Sequence, residues 1–178
     1  MLFETERLAL RRLVIEDAPF ILDLVNEPGW LEHIGDRGVR TLADAEGYLR
    51  DGPLASYAAN GFGLYHVALR ATGDPVGMCG VLRRDGLDAP DLGYALLAVH
   101  AGRGYATEAA RATLAHARRD LGLARVLAIT SPANVASQRV LEKVGMRREG
   151  MLDRQDGVGP SVLFAIDLGG RGDAGEEM

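Results

Sequence analysis

Gly102-Arg103-Gly104-Tyr105-Ala106-Thr107 follows an apolar stretch, Leu92 to Leu97, and opens an alanine-rich one, so it lies where a strand would turn into a helix. Chemistry at such an elbow is anion binding. Glycines at 102 and 104 let successive backbone N–H groups face one point, and the following helix adds unpaired amides and the positive end of its dipole. That cradle suits a pyrophosphate. By itself Gly-x-Gly also closes ordinary turns, so the neighbouring segments must decide. A second junction of the same kind follows Arg125 to Thr130. There Asn134 is the expected N-cap, and Ser137 places a hydroxyl on the first helical turn. If the two strands are parallel neighbours, both helix starts open on one edge of the sheet, where ligands of open α/β sheets bind.

Other chemistries find less in the chain. A dinucleotide site needs Gly-x-Gly-x-x-Gly after the first strand, and a P-loop needs Lys-Ser or Lys-Thr closing the elbow; both are absent. The histidines at 33, 66, 100 and 116 have no ligand spacing, which predicts no metal site. Cys79, the single cysteine, lies in an apolar strand-like run and reads as a buried structural thiol without an evident histidine partner, against a covalent cysteine mechanism. Asp85, Asp88 and Asp91 lead into the strand before the elbow and are candidate bases, though each also reads as a solvated turn acid.

The bulk numbers set the frame. A chain of 178 residues with 47% hydrophobic and 25% charged residues suits one ordinary globular domain. The formal net charge of −5 disfavours nucleic acid as the main partner, since phosphate backbones call for a basic face. No apolar run reaches the ~18–20 residues of a spanning helix, and the start lacks the regions of a signal peptide, so the default expectation is a cytoplasmic protein. Gly169 to Met178, rich in glycine and acid, is expected to be a disordered tail after a domain at 1–168.

Periodicity supplies the elements that would hold the site. Alternation over Glu6 to Leu13 predicts a first strand with Leu8 and Leu10 inward. A helix is expected from Glu16 to Asn26, stopping near Pro28-Gly29, and another from the capping-box-like Thr41 to Gly52-Pro53. Gly63 to Arg70 and Val76 to Leu82 form a hairpin across Gly73-Asp74. After the strand at 92–97 come a helix over about 105–121, a buried strand at 125–130, a helix ending at Gly145 and a last strand at 161–168. The expected fold is a single α/β domain: a mostly antiparallel mixed sheet of about six or seven strands, with helices on both faces.

Gly93-Tyr94-Ala95-Leu96-Leu97, then Gly102-Arg103-Gly104-Tyr105-Ala106-Thr107-Glu108-Ala109, then Asn134-x-x-Ser137 and Glu142-Lys143-Val144-Gly145-Met146 together resemble the GNAT N-acetyltransferases. Glu4-Thr5-Glu6-Arg7-Leu8-x-Leu10-Arg11 is similar to their RimJ/RimL-like branch, which includes ribosomal-protein N-terminal acetyltransferases. The resemblance spans about residues 4–168. It implies acetyl-CoA as cosubstrate, with its pyrophosphate on Gly102, Arg103, Gly104, Tyr105, Ala106 and Thr107. The pantetheine arm would pair like an added strand with the strand before the elbow, opened by a bulge, through the backbone of Tyr94 and Leu96, and Asn134 would hold its pantetheine side. Ser137 would donate to the leaving thiolate, and a backbone N–H near Leu96 would stabilise the oxyanion during direct attack by an amine. Lys143 or Arg139 could reach the ribose phosphate, although each reads first as a helix-surface cation. Two departures stand out: Ala101 replaces the family's usual Gln or Arg, and Ala98-Val99 its Pro-Glu, so side-chain contacts there are lost while binding by amides tolerates both.

The acceptor is assigned to the first helix and the loop from Asn26 to Arg40; Trp30, Tyr57, Phe62 and Tyr65 read mostly as core, with one or two expected at the pocket, and Glu32, Asp36 or Arg37 read either as acceptor-charge readers or as a solvated loop. Without a conspicuous base, a protein or peptide N-terminal α-amine is the favoured acceptor. At pKa roughly 7.7–8.0 it is about a tenth neutral at pH 7, against about one in a few thousand for a lysine amine. A small-molecule amine (amino acid, polyamine or drug) is the alternative within the enzyme class, and a non-catalytic acyl-CoA sensor the alternative outside it. A homodimer is compatible with the sequence.

Overall fold

The structure is a computed structural model that describes residues 1–153 and 159–169. Eight strands form one sheet in the order β1-β2-β3-β4-β5-β6-β8-β7. They are β1 (Phe3–Glu4), β2 (Leu8–Arg12), β3 (Leu64–Leu69), β4 (Pro75–Leu82), β5 (Asp91–Leu96), β6 (Arg125–Thr130), β7 (Arg147–Asp153) and β8 (Pro160–Asp167). Every neighbouring pair is antiparallel except β5 and β6. The α-helices are α1 (Ala18–Leu24), α2 (Pro28–His33), α3 (Leu42–Leu49), α4 (Ala55–Asn60), α5 (Tyr105–Arg119) and α6 (Val135–Lys143).

Strand alternation sorts the apolar residues into two cores, one on each face of the sheet. Along β4, Cys79 and Val81 join Leu8, Leu10, Val67, Ala110, Leu114 and Leu141 beneath α5 and α6. Met78, one residue out of phase, joins Leu13, Ile21, Leu24, Trp30 and Leu49 beneath α1 to α3. Each fully buried leucine contributes about 1.5–3 kcal/mol to that layering. The hairpin between β3 and β4 closes as expected, with Gly73 at φ 80° and its N–H bonded to Leu69 O at 2.8 Å. Thr41 caps α3 by the anticipated reciprocal bonds with Asp44: Asp44 N donates to Thr41 Oγ1 at 3.1 Å, and Thr41 N to Asp44 Oδ2 at 3.0 Å. No helix among the described residues is long and apolar enough to cross a membrane.

Three expectations need correction, and a fourth is not tested. The sheet has eight strands, not six or seven: β1 is two residues long, and β7 begins with the exposed, charged run Arg147-Arg148-Glu149, so neither carries an apolar alternation to read. Pro28 does not end a helix. It opens α2 from the first helical turn, where its missing N–H costs nothing. Gly52-Pro53 does not end the second helix either. Residues Arg50–Leu54 form a π-helical turn whose wider ring accommodates the proline, and helix resumes as α4. The expected tail lies outside the described residues from 170 onward.

Candidate active site

β5 and β6 are parallel neighbours, but their pairing is confined to Asp91↔Leu127, where Leu127 N donates to Pro90 O at 2.9 Å. Beyond that point the strands part into a fork. Along its other edge β5 is paired with β4 from Asp91 to Leu96 without a register shift, so divergence from β6 rather than the expected bulge opens the strand, and β6 is paired with β8 from Arg125 to Thr130. Leu97 N donates to Val76 O at 2.9 Å. Because such bonds recur every second residue, Ala95 and Gly93 share the β4 side, and the N–H and C=O groups of Leu92, Tyr94 and Leu96 face the fork. At its closed end Asp91 is fully buried and accepts from Arg84 Nε at 2.9 and 3.1 Å.

The elbow lies beyond the open end of the fork. Gly102 (φ 73°) and Gly104 (φ 79°) both take the left-handed conformation, and Gly104 is the N-cap of α5. Glu108 N already donates to Gly104 O at 3.0 Å, so the N–H groups of Tyr105, Ala106 and Thr107 are the helix's remaining first-turn donors. A groove of about 380 Å³ runs past them, lined by Glu6, Arg7, Gly104, Thr107, Glu108, Arg111 and Lys143. Lys143 therefore lies beside the elbow; Arg139 is not among the lining residues. Arg103 projects an exposed side chain, while its carbonyl accepts from Arg7 Nη1 at 2.9 Å.

Across the fork, Asn134 caps α6 by accepting from Ser137 N at 3.1 Å, which leaves its side-chain amide N–H groups available. Ser137 Oγ lies 2.7 Å from the Tyr94 hydroxyl, which also donates to Ser137 O at 3.2 Å. The sequence reading used only the backbone of Tyr94. Its side chain is the functional candidate that reading missed, although the odd-even phase of β5, with Tyr94 and Leu96 packed toward α5 and α6, carried the signal. Burial pushes the Tyr94 phenol up to about 12, so it stays a neutral donor.

Other candidates lie elsewhere. Asp85 and Asp88 are exposed in the β4–β5 turn, and Asp91 is committed to Arg84. Trp30, Tyr57, Phe62 and Tyr65 are all buried in the two cores, which corrects the expectation that one or two would wall a pocket. Tyr57 serves the core directly: its hydroxyl accepts from Leu13 N at 3.0 Å and donates to Leu64 O. Cys79 is buried against Thr113 Oγ1 at 3.3 Å, and burial pushes its thiol up to about 12, a poor nucleophile. Asp36 pairs with Arg40 at 2.5 Å. No group of three or more His, Cys, Asp or Glu among the described residues is placed to hold a metal. A second groove, about 700 Å³, is lined by Leu22, Asp23, Asn26, Glu27, Pro28, Arg40, Leu97 and Val99. It joins α1, α2 and the Asn26–Arg40 loop to the end of β5.

An acetyltransferase (GNAT) domain model matches residues 7–147. The chain belongs to the GNAT acetyltransferase family. Among its relatives is the uncharacterized N-acetyltransferase YnaD of Bacillus subtilis (strain 168), 27% identical over 150 residues that cover 84% of this chain and 85% of that protein. The crystal structure of a GNAT-family acetyltransferase from Bacillus anthracis superposes with a TM-score of 0.78 at 26% identity, covering 94% of this chain and 99% of the other. Two more distant structures share the fold. One is AAC(6')-Ib in complex with paromomycin and acetyl-CoA (TM-score 0.75, 22% identity, 91% and 94% covered). The other is a ribosomal-protein-S5-alanine acetyltransferase from Vibrio fischeri (0.73, 19%, 93% and 96%). The chain is thus a GNAT-family N-acetyltransferase.

Proposed function

We propose that this acetyltransferase moves an acetyl group from acetyl-CoA to a protein or peptide N-terminal α-amine by direct attack in a ternary complex. The observation that carries the reading is the fork, with unpaired β5 amides on one side, the Tyr94–Ser137 pair on the other and the glycine elbow with its free helix amides at its mouth.

The residues fit a CoA ester. The backbone of Tyr94 and Leu96 offers the edge of a strand to an extended pantetheine, and the side-chain amide of Asn134 adds a donor. Gly102, Arg103, Gly104, Tyr105, Ala106 and Thr107 hold the pyrophosphate by their amides, with Lys143 and Arg111 nearby for the ribose phosphate. Bound there, acetyl-CoA supplies an acyl thioester, an acyl group already activated toward amines. Leu96 N–H donates to the charge that develops on the acyl oxygen. Ser137 Oγ–H gives its proton to the departing sulfur and is reprotonated through solvent, which takes up the proton the attacking amine loses as the amide forms; the Tyr94 hydroxyl, bonded to Ser137 O and Oγ, holds the serine in place.

The acceptor enters through the second groove, whose far wall, Leu97 and Val99, continues directly from β5. Asp85, Asp88 and Asp91 are exposed or ion-paired, which favours an acceptor that is appreciably neutral near pH 7 without a strong base. The fold shared with a ribosomal-protein-S5-alanine acetyltransferase supports that choice. Asp23 and Glu27 on the groove favour a second reading, a small cationic amine, a class that includes the aminoglycoside seated in AAC(6')-Ib.

Incubation with acetyl-CoA, a pool of free-amine peptides and a pool of small amines, read by mass spectrometry, separates these. α-Acetylated peptides are expected. Products confined to small amines overturn the peptide reading, and CoA binding without any product makes the chain a sensor.

A further inference from the structure

Glu4-Thr5-Glu6-Arg7 has no part in the reaction above, yet the side chains of Thr5 and Arg7 reach the elbow and the start of α5, about a hundred residues away in sequence. Thr5 Oγ1 donates to Glu108 Oε1 at 2.6 Å, and Arg7 N donates to the same oxygen at 2.9 Å. Arg7 Nε and Nη2 both reach Glu108 Oε2, at 2.7 and 2.6 Å. Nη1 donates to the carbonyl of Arg103 at 2.9 Å, and the guanidinium lies over the Tyr105 ring, 4.5 Å from its centroid. A Cβ built on Gly104 would meet Arg7 Nη2 at 3.4 Å, so the guanidinium packs directly on the cradle's backbone. Arg70, on the β3–β4 hairpin, braces the segment from behind: its N–H donates to Arg7 O at 2.9 Å and its Nη1 to Thr5 O at 2.8 Å.

An exposed ion pair contributes little, about 0–1 kcal/mol. This one differs in three respects. Both Glu108 oxygens are held by several donors, the guanidinium also bonds a loop carbonyl, and its third contact is an aromatic face. Glu108 sits on the first turn of α5, where a carboxylate suits the helix dipole but opposes any second anion arriving at the same amides.

We propose that Arg7 is a positioning residue of the donor site: it clasps the Arg103–Tyr105 elbow in its anion-binding shape and cancels the Glu108 charge that would otherwise repel a pyrophosphate. This rests on the donor reading above. The N-terminal motif is thereby assigned to the cosubstrate, far from the acceptor groove.

The test compares wild type with Arg7→Ala, Arg7→Lys and the double variant Arg7→Ala/Glu108→Gln. Calorimetry measures CoA binding, and NMR titration measures pantetheine, which lacks the pyrophosphate. Arg7→Ala is expected to weaken CoA about 10- to 100-fold, the scale of a lost charge-assisted network, while pantetheine binding stays within twofold. Arg7→Lys keeps the charge but not the fork, and falls between. The double variant recovers part of the loss, because the unpaired carboxylate is gone; general damage to the fold would not be repaired by a second substitution. CoA binding unchanged in Arg7→Ala, or a loss shared equally by pantetheine, overturns the clasp and leaves the donor reading standing. Absence of CoA binding in wild type overturns both.

Discussion

The proposed donor and acceptor halves of this molecule are built by opposite means. On the donor side, the fork and elbow are made of backbone: β5 amides left over where β6 diverges, and helix donors exposed by two left-handed glycines. On the acceptor side, the groove is a meeting of side chains from α1, the loop up to Arg40, and Leu97 and Val99 beyond β5. A backbone site depends on where glycines and helix starts fall. A side-chain site depends on which residues happen to meet. The donor half should therefore tolerate most side-chain changes and fail sharply at a few positions, whereas the acceptor half should yield gradually.

The largest expected effect lies where the donor half does use a side chain. Ser137→Ala removes the proposed proton donor and should lower turnover about 100-fold, the lower end of what a positioned acid contributes. CoA affinity should hardly move. Tyr94→Phe keeps the ring but removes the hydroxyl bonded to Ser137, and a smaller loss, about tenfold, is expected in kcat alone. Unchanged single-turnover rates in both variants would take this pair out of the mechanism.

Gly104→Val comes next. Its backbone at φ 79° penalises any side chain by about 1–2 kcal/mol, more for a branched one, and the added carbon meets the Arg7 guanidinium. CoA should bind about 10- to 30-fold more weakly. The matching change at Gly29 on α2, where a Cβ finds open space and φ is ordinary, should leave CoA affinity alone. Equal effects at the two glycines would break the contrast between the halves.

This contrast also explains what could be read in the chain. Gly102, Gly104, Asn134 and Ser137 were legible because short-range spacing creates their geometry: a turn and two helix starts. The backbone roles of Leu96 and Tyr94 came from the family resemblance; spacing supplied only the strand that carries them. The Tyr94–Ser137 bond spans 43 residues, and the clasp of Arg7 on Glu108 spans 101, distances that no local pattern encodes. Trp30, Tyr57, Phe62 and Tyr65 misled for a related reason. An aromatic in a loop or strand has the same spacing whether it faces a pocket or a core, and only the packing of α1, α3 and α4 on the sheet decides. β7 stayed hidden because its pairing to β8, not its own exposed residues, makes it a strand.

Acid should separate the halves again. His66 on β3 is buried against Phe20 of α1, on the acceptor face, with ring centroids 5.0 Å apart. Burial, followed by the nearby Arg11 charge, lowers its ring to about 4. The folded state therefore holds a neutral ring that the unfolded chain, near 6.5, protonates more readily. Stability is full above pH 6.5 and falls as pH drops toward 4, by about 2–3 kcal/mol. Denaturant melts at pH 7 and 4.5 should show that loss, and His66→Gln should abolish this contribution. Hydrogen exchange at pH 4.5 should find α1 opening before α5.

The smallest effect belongs to the acceptor groove itself. Asp23 is exposed and Glu27 half-buried on its wall, while the nearby Arg40 is engaged by Asp36 and Asn26. The local field available to an incoming ammonium is therefore negative, but solvent-screened. Such a field is worth about 0.2–1 kcal/mol, so Glu27→Gln should raise the acceptor KM about two- to fivefold with kcat and CoA affinity unchanged. Added salt should shrink the difference between variant and wild type, because screening removes what the substitution removes. A Glu27→Gln enzyme that loses kcat instead would place this carboxylate against the reacting amine, and the acceptor half would then contain a sharp point of failure like the one at Ser137.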